Sequence, residues 1–102
     1  MKILLGGHKI RVKFEKFKGS NKCKLGIYRH DAKTVLINKK RWKKLPKSGK
    51  VELLVHELFH VINDRLNLGM SEKIINIIGE EWCAILLNNK SFIRGLLNGK
   101  GM

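Results

Sequence analysis

The spacing of apolar residues changes halfway along the chain, and this change limits the folds that the chain can adopt. Near the N terminus, Ile10, Val12 and Phe14 alternate with charged residues, which is the period of a strand with one buried face. From Val51 onward, apolar residues recur every three or four positions, as in an amphipathic helix. Strands followed by helices predict an α+β fold, and 102 residues suit a single domain.

Two hairpins are predicted in the first half of the chain. Gly6 and Gly7 suit a turn ahead of the first alternating strand. A second hairpin is predicted at residues 26–38, where two runs of β-branched and aromatic residues flank an Asp-Ala pair. We therefore expect a short antiparallel sheet of three to four strands, with an exposed loop at residues 16–24.

Two main helices are predicted in the second half. The first covers about residues 50–67, and Gly69 is placed to stop it. Ser71 can cap the second helix, which runs toward Asn88. The apolar stripe of this second helix consists of Ile74, Ile75, Ile78, Trp82, Ile85 and Leu86.

Cysteine usage and hydropathy bear on the environment of the protein. Cys23 and Cys83 lie far apart and form no CxxC motif, so neither a disulfide framework nor a cysteine-rich metal site is expected. A reducing, cytoplasmic environment suits these two thiols. The apolar run at residues 1–5 is too short for a signal peptide, and the run at residues 74–87 is too short for a membrane span. We expect no membrane contact.

The charge is strongly positive: 22 Lys and Arg stand against 8 Asp and Glu, a formal net charge of +14. Such a surplus attracts nucleic acid or an acidic partner. Seven of the cations lie between Lys39 and Lys50, around Trp42. A solvated loop and a polyanion contact are both compatible with this segment. The side chains expected to make a polyanion contact are Lys39, Lys40, Arg41, Lys43 and Lys44.

The first predicted helix carries the sequence His56-Glu57-Leu58-Phe59-His60. Residues four apart on a helix lie on neighbouring turns, so His56 and His60 can direct two imidazole nitrogens at one metal ion. Glu57 lies off the line that joins them, which suits a carboxylate that deprotonates a metal-bound water. The HExxH pattern thus predicts two zinc ligands and one catalytic base. His8 and His30 have no such spacing and are expected to be ordinary surface residues.

A catalytic zinc ion usually has three protein ligands, so a third must come from outside HExxH. On a helical wheel of the second helix, Glu72 shares a narrow stripe with Asn76, Gly79 and Cys83. Such small residues would let the two helices approach closely, which favours Glu72 as the third ligand, with Asn76 supporting it. Two alternatives stay open: Glu80 as the ligand, and Glu72 as a favourable charge at a helix N terminus.

Several segments of the chain resemble the minimal gluzincin zinc metallopeptidases, including the ImmA/IrrE-like proteins common in bacteriophages and mobile elements. The segments are residues 26–28, 34–38, 53–62 and 72–76, within a resemblance that covers roughly residues 25–90. The resemblance implies a short sheet before the HExxH helix, a glutamate ligand from the following helix, and a location in the host cytoplasm for a phage-encoded protein. The chain lacks the Glu-Ala-Asn and Phe-Ala signatures of the larger relatives, so repressor cleavage is not implied.

The expected activity is hydrolysis of a peptide or protein substrate, with Glu57 moving the proton from water to the leaving amine. Residues 34–38, which directly precede the metal helix, are the expected exposed sheet edge for an extended substrate. Tyr28 and His30 are the candidates for stabilising the oxyanion, but no spacing in the sequence fixes their distance from the ion. The competing interpretation is a basic nucleic-acid- or protein-binding accessory factor with a structural or vestigial metal site, in which Trp42 stacks on a base.

Overall fold

The α+β fold predicted from the sequence is confirmed in a computed structural model, which describes residues 2–5 and 7–99. The strands are β1 (Lys2–Leu5), β2 (His8–Glu15), β3 (Gly26–Arg29) and β4 (Thr34–Asn38). The helices are α1 (Lys39–Trp42), α2 (Lys47–Leu66), α3 (Glu72–Asn88) and α4 (Lys90–Leu97). The predicted loop at residues 16–24 contains a 3-10 turn at Gly19–Asn21.

The four strands form one sheet in the order β1-β2-β4-β3, and both predicted hairpins are present. Gly7 adopts the left-handed region in the first turn, with φ +83°, while Gly6 lies outside the described residues. β2 and β4 pair in parallel, so the sheet is mixed and the expectation of an antiparallel sheet was wrong for this pair. The intervening residues 16–33 are long enough to make the crossover that a parallel pair needs.

β4 lies inside the sheet, between β2 and β3, and all five of its residues are buried. The expectation that residues 34–38 form an exposed edge was therefore wrong. The apolar run Val35–Ile37 is typical of a strand that is covered on both faces, and pairing with β2 and β3 leaves β4 no free edge. The edge beside α2 belongs to β3, which α2 contacts directly.

The core lies between α2 and the sheet. It contains Ile10, Val12, Val35, Ile37, Leu53 and Val61. α2 begins at Lys47, directly after Pro46, whose fixed φ suits the start of a helix. It ends at Leu66 because Asn67 adopts the left-handed conformation, φ +51°, two residues before the predicted stop at Gly69.

α3 buries Ile75 and two small residues, while several of its other large apolar side chains stay exposed. Ser71 caps the helix by accepting a hydrogen bond from the Ile74 amide at 3.2 Å. Gly79 and Cys83 are buried, whereas Trp82 and Ile85 remain about half exposed. The predicted small-residue stripe therefore faces α2, and much of the predicted apolar stripe faces away from it. No helix in the described part of the chain is long and apolar enough to cross a membrane.

Candidate metal centre

His56 and His60 lie on adjacent turns of α2 and direct the same ring nitrogen at a common point. Their Nε2 atoms are 3.2 Å apart, and their rings meet edge to face with centroids 4.8 Å apart. Their side chains are 25% and 29% exposed, so they line the surface and do not belong to the core. The four-residue spacing on one helix is sufficient to produce this pair.

Glu72, the first residue of α3, meets this histidine pair. Its Oε1 lies 3.1 Å from His56 Nε2, and its Oε2 lies 3.1 Å from His60 Nε2. The position of Glu72 is set by the loop that joins α2 to α3. Asn63 accepts a hydrogen bond from the Met70 amide at 2.9 Å and donates one to the Met70 carbonyl at 3.2 Å, which fixes the chain two residues before Glu72.

His56, His60 and Glu72 form a group that could hold a metal ion, since one donor atom from each lies within 4.8 Å of the others. Two donors bound at about 2.0–2.1 Å to a tetrahedral ion would be about 3.3 Å apart, close to the observed 3.1–3.2 Å. The Glu72 side chain is 61% exposed, so the site opens to solvent and leaves room for a further ligand.

The other candidates for this group lie elsewhere on α3. Glu80 and Glu81 are exposed and are not part of the group. Asn76 is also exposed, and its side chain makes no hydrogen bond with another residue in the described part of the chain. The geometry therefore favours Glu72 over Glu80 as the third ligand. Asn76 was predicted to support Glu72, but within the described residues it makes no hydrogen bond through which it could do so.

The protonation state of His56 favours metal binding. Burial and the neighbouring His60 lower the pKa of His56, and these effects outweigh the opposing influence of Glu72. A ligand imidazole must be neutral, so a lowered pKa keeps His56 ready to bind a metal ion at a lower pH.

Glu57 lies next to the metal group and is only 6% exposed. Burial raises the pKa of its carboxyl; Glu72 also raises it, while His60 acts in the opposite direction. Its side chain lies against Gly26 at the start of β3. A Cβ atom on Gly26 would lie 3.1 Å from Cγ, Cδ and Oε1 of Glu57, so the absence of a side chain there makes room for the carboxyl.

A second cluster lies one helical turn beyond His60. Asp64 accepts a hydrogen bond from the Tyr28 hydroxyl at 3.2 Å, and the same carboxylate oxygen contacts His30 Nδ1. Burial, and to a smaller extent Asp64, raises the pKa of Tyr28. His8 lines the adjoining cavity of about 170 Å³ together with these three residues. Tyr28 and His30, the two side chains considered for oxyanion stabilisation, are thus held by one carboxylate on α2.

Gly26, Asn63 and Asp64 were not predicted from the sequence to belong to the site. For Gly26 the available signal is a glycine at the first position of a strand, which often marks close approach of another group. For Asp64 the signal is its spacing, because it follows His60 by four residues and His56 by eight, on the same helical face. The side-chain hydrogen bonds of Asn63 had no comparable signal in the sequence.

The basic segment at residues 39–44 is not a loop, because α1 occupies most of it. The cations named above, Lys39, Lys40, Arg41, Lys43 and Lys44, are all exposed. Trp42 packs against the core, with its ring centroid 5.1 Å from that of Phe14 and Lys50 Nζ 5.5 Å from its ring. These contacts occupy the ring that the accessory-factor interpretation assigned to base stacking.

No protein-family model matches this sequence, and neither the curated proteins nor the solved structures contain a match to it. What the site can do must therefore be inferred from its own chemistry. Two imidazoles and a carboxylate converge on one open point, with a buried carboxyl beside them. This arrangement suits a metal ion that takes part in proton transfer and hydrolysis.

Proposed function

We propose that this protein is a zinc-dependent metallopeptidase of the minimal gluzincin type. The observation that carries the proposal is the convergence of His56, His60 and Glu72 beside the buried carboxyl of Glu57. Two imidazoles and one carboxylate form a ligand set typical of catalytic zinc. A structural zinc site has no need of an additional carboxyl group that is buried at an energetic cost.

Each residue of the site has a role in the proposed reaction. When bound, zinc would polarise the peptide carbonyl and lower the pKa of water. Glu57 holds the attacking water, accepts its proton and transfers that proton to the leaving amine. The burial that raises the pKa of Glu57 brings it closer to neutral pH, where a group can both accept and release a proton efficiently.

β3 replaces β4 as the strand that aligns the substrate. It lies at the edge of the sheet, so its outer side is free of strand pairing within the described residues. Gly26 lies against Glu57, and Tyr28 bonds Asp64 one turn after His60, so β3 runs alongside the metal-binding part of α2. A peptide that adds to this edge would pass the catalytic carboxyl in extended form.

The accessory-factor alternative has weaker support. Its favourable observation is the set of exposed cations at residues 39–44, but Trp42, the ring assigned to base stacking, packs partly against the core and against Phe14. Exposed lysines also serve solubility in many proteins, whereas the buried position of Glu57 lacks such an ordinary explanation.

The activity can be tested directly with the full chain. Zinc-loaded protein should cleave members of an unbiased peptide library, a zinc chelator should stop cleavage, and added zinc should restore it. Mass spectrometry of the products identifies the cleaved bonds. Failure of the zinc-loaded protein to cleave any peptide, or cleavage that is unaffected by removal of zinc, would contradict the proposed function.

Gly26→Ala should lower kcat by about tenfold or more while zinc content stays unchanged. The added methyl group would lie 3.1 Å from Glu57, which must shift by a few tenths of an ångström, and catalysis is sensitive to small displacements of this kind. Gly79→Ala is the matched control, because its methyl group would make an ordinary contact 3.9 Å from the His56 Cα. A Gly26→Ala protein with wild-type kcat would show that the close approach has no catalytic role.

A further inference from the structure

Two neighbouring cavities, the first of which reaches the metal site, share part of their lining and are together called the groove. The first, of about 540 Å³, is lined by His56, Glu57 and the residues that lead into β3. The second has a volume of about 770 Å³ and lies farther from the metal group. The residues that line both cavities are Cys23, Leu25, Arg41 and Leu45. The two cavities are therefore adjacent to each other.

The second cavity is strongly basic. Its lining includes five cationic side chains and no acidic one: Lys16, Lys22, Lys40, Arg41 and Lys44. Its apolar lining residues are Phe17, Leu25 and Leu45. Clustered charges of one sign in a cavity with apolar walls attract and concentrate ligands of the opposite sign.

Residues 22–24, which line the two cavities, are held in place by side-chain hydrogen bonds to the backbone. Asn38, which is 3% exposed, donates to the Lys22 and Lys24 carbonyls at 3.2 and 2.8 Å. Arg41 Nη1 donates to the Cys23 carbonyl at 2.7 Å. Residues 22–24 are thus fixed before any ligand binds, which reduces the entropic cost of binding.

The direction of β3 determines which end of a substrate reaches the basic cavity. β3 runs from Gly26 toward Arg29, and the groove lies at its Gly26 end. A peptide that pairs antiparallel to β3, the more stable pairing, therefore runs toward Gly26 and then toward Lys24. Its residues on the C-terminal side of the cleaved bond would enter the groove.

The charge along the groove is not uniform. The part nearest the metal group contains Glu52 and Glu57 as well as Lys24 and Arg41. An acidic residue directly beside the cleaved bond would meet these two carboxyl groups. At about 3.3 Å per extended residue, side chains two or more positions further along would leave this part and approach the basic cavity.

We propose that the substrate of this site carries acidic residues on the C-terminal side of the cleaved bond, starting two or more residues from it, and that the basic cavity binds them. The proposal rests on the metallopeptidase function and adds a substrate class to it. A peptide fits better than nucleic acid, because Glu52 and Glu57 would repel a continuous row of phosphates and Trp42 is packed.

The test uses peptides that share one cleaved bond, taken from the library above. In each peptide, three consecutive residues are replaced by glutamates, by glutamines or by lysines. The replaced residues lie on the C-terminal or on the N-terminal side of the cleaved bond and start two residues from it. On the C-terminal side, we expect kcat/KM to be about tenfold higher with glutamates than with glutamines, and lowest with lysines. A tenfold difference is what a few partly screened ion pairs would supply. The glutamate advantage should shrink in 0.5 M salt because screening weakens exposed charge pairs.

A pair of charge-matched variants tests the assignment of the cavity. The triple variant Lys22→Gln, Lys40→Gln and Lys44→Gln should lose most of the glutamate advantage. The control variant carries Lys2→Gln, Lys9→Gln and Lys13→Gln, which change the net charge by the same amount. This control should keep the glutamate advantage. None of these three control lysines lines either cavity.

Several outcomes would overturn the proposal. Equal kcat/KM for the glutamate and glutamine peptides would overturn it and leave the metallopeptidase function intact. A glutamate advantage found only on the N-terminal side of the cleaved bond would have the same consequence. Loss of the advantage in both triple variants would refute the cavity assignment. If a single-stranded oligonucleotide inhibited peptide cleavage more strongly than an uncleaved acidic peptide did, nucleic acid would be favoured as the ligand of the basic cavity. Failure to cleave any peptide would remove the metallopeptidase function itself.

Discussion

The Glu57→Gln variant should keep its zinc and its fold but hydrolyse peptides between about a hundredfold and ten-thousandfold more slowly, the range that general acid–base catalysis supplies. Glutamine has nearly the same shape as glutamate, so it can occupy the space beside Gly26. It cannot accept a proton from water. Glu57 is also not one of the three residues in the metal group, so its replacement should leave zinc affinity nearly unchanged.

The measurement combines kcat/KM on a library-derived peptide with elemental analysis of the same preparation. Loss of zinc from a folded Glu57→Gln protein would show that Glu57 is a ligand, and full activity would show that it is not the base. Thermal unfolding of the metal-free protein gives an independent check of the buried environment of Glu57. Burial raises the pKa of Glu57 in the folded state, so its stabilising contribution is present at low pH and is lost as pH rises through that pKa.

The metal-free Glu57→Gln variant should therefore match the wild type at acidic pH, where both side chains are neutral, and exceed it in stability at neutral pH. A variant that is less stable than metal-free wild type at neutral pH would contradict the environment assigned to Glu57.

Replacing Glu72 with alanine should weaken zinc binding by more than about a hundredfold, because even loss of groups that only orient ligands costs 10- to 100-fold. Glu72 places its two oxygens 3.1 Å from the Nε2 atoms of His56 and His60, and no other acidic residue in the described part of the chain completes this group. Glu80→Ala is the matched control. Glu80 is exposed on the same helix, and its loss should cost a few tenths of a kcal/mol of stability at most.

Competition against a chelator of known zinc affinity measures both variants under one set of conditions. Nearly equal affinities for Glu72→Ala and wild type would contradict the assignment of the third ligand. A large loss of affinity in Glu80→Ala would transfer that role to Glu80, and the relation between α2 and α3 described above would then be wrong.

Features that depend on local spacing were predictable from the sequence. A four-residue separation on a helix brings His56 and His60 together in any fold that preserves the helix. The wheel of the second helix also indicated that Glu72, Gly79 and Cys83 share a face, and the last two are buried in the structure. Ser71 caps that helix as expected, because a cap involves only neighbouring residues.

Features that depend on packing between distant elements were not predictable in the same way. Strand composition indicated two hairpins but did not determine that β2 would pair with β4, since that pairing joins residues separated by a long crossover. The period of α3 was compatible with burial of its large apolar side chains. In the structure only Ile75 of these side chains is fully buried, beside the small residues Gly79 and Cys83, and Trp82 is about half exposed. The contact between Gly26 and Glu57 likewise joins two elements far apart in sequence.

The most direct test of the metal centre is the zinc content of the purified protein, measured by elemental analysis before and after titration with zinc. We expect about one zinc per chain for the wild type and for Glu57→Gln, and almost none for the double variant His56→Ala and His60→Ala. A wild-type protein that is purified without zinc and takes up none on titration would show that His56, His60 and Glu72 do not form a zinc site.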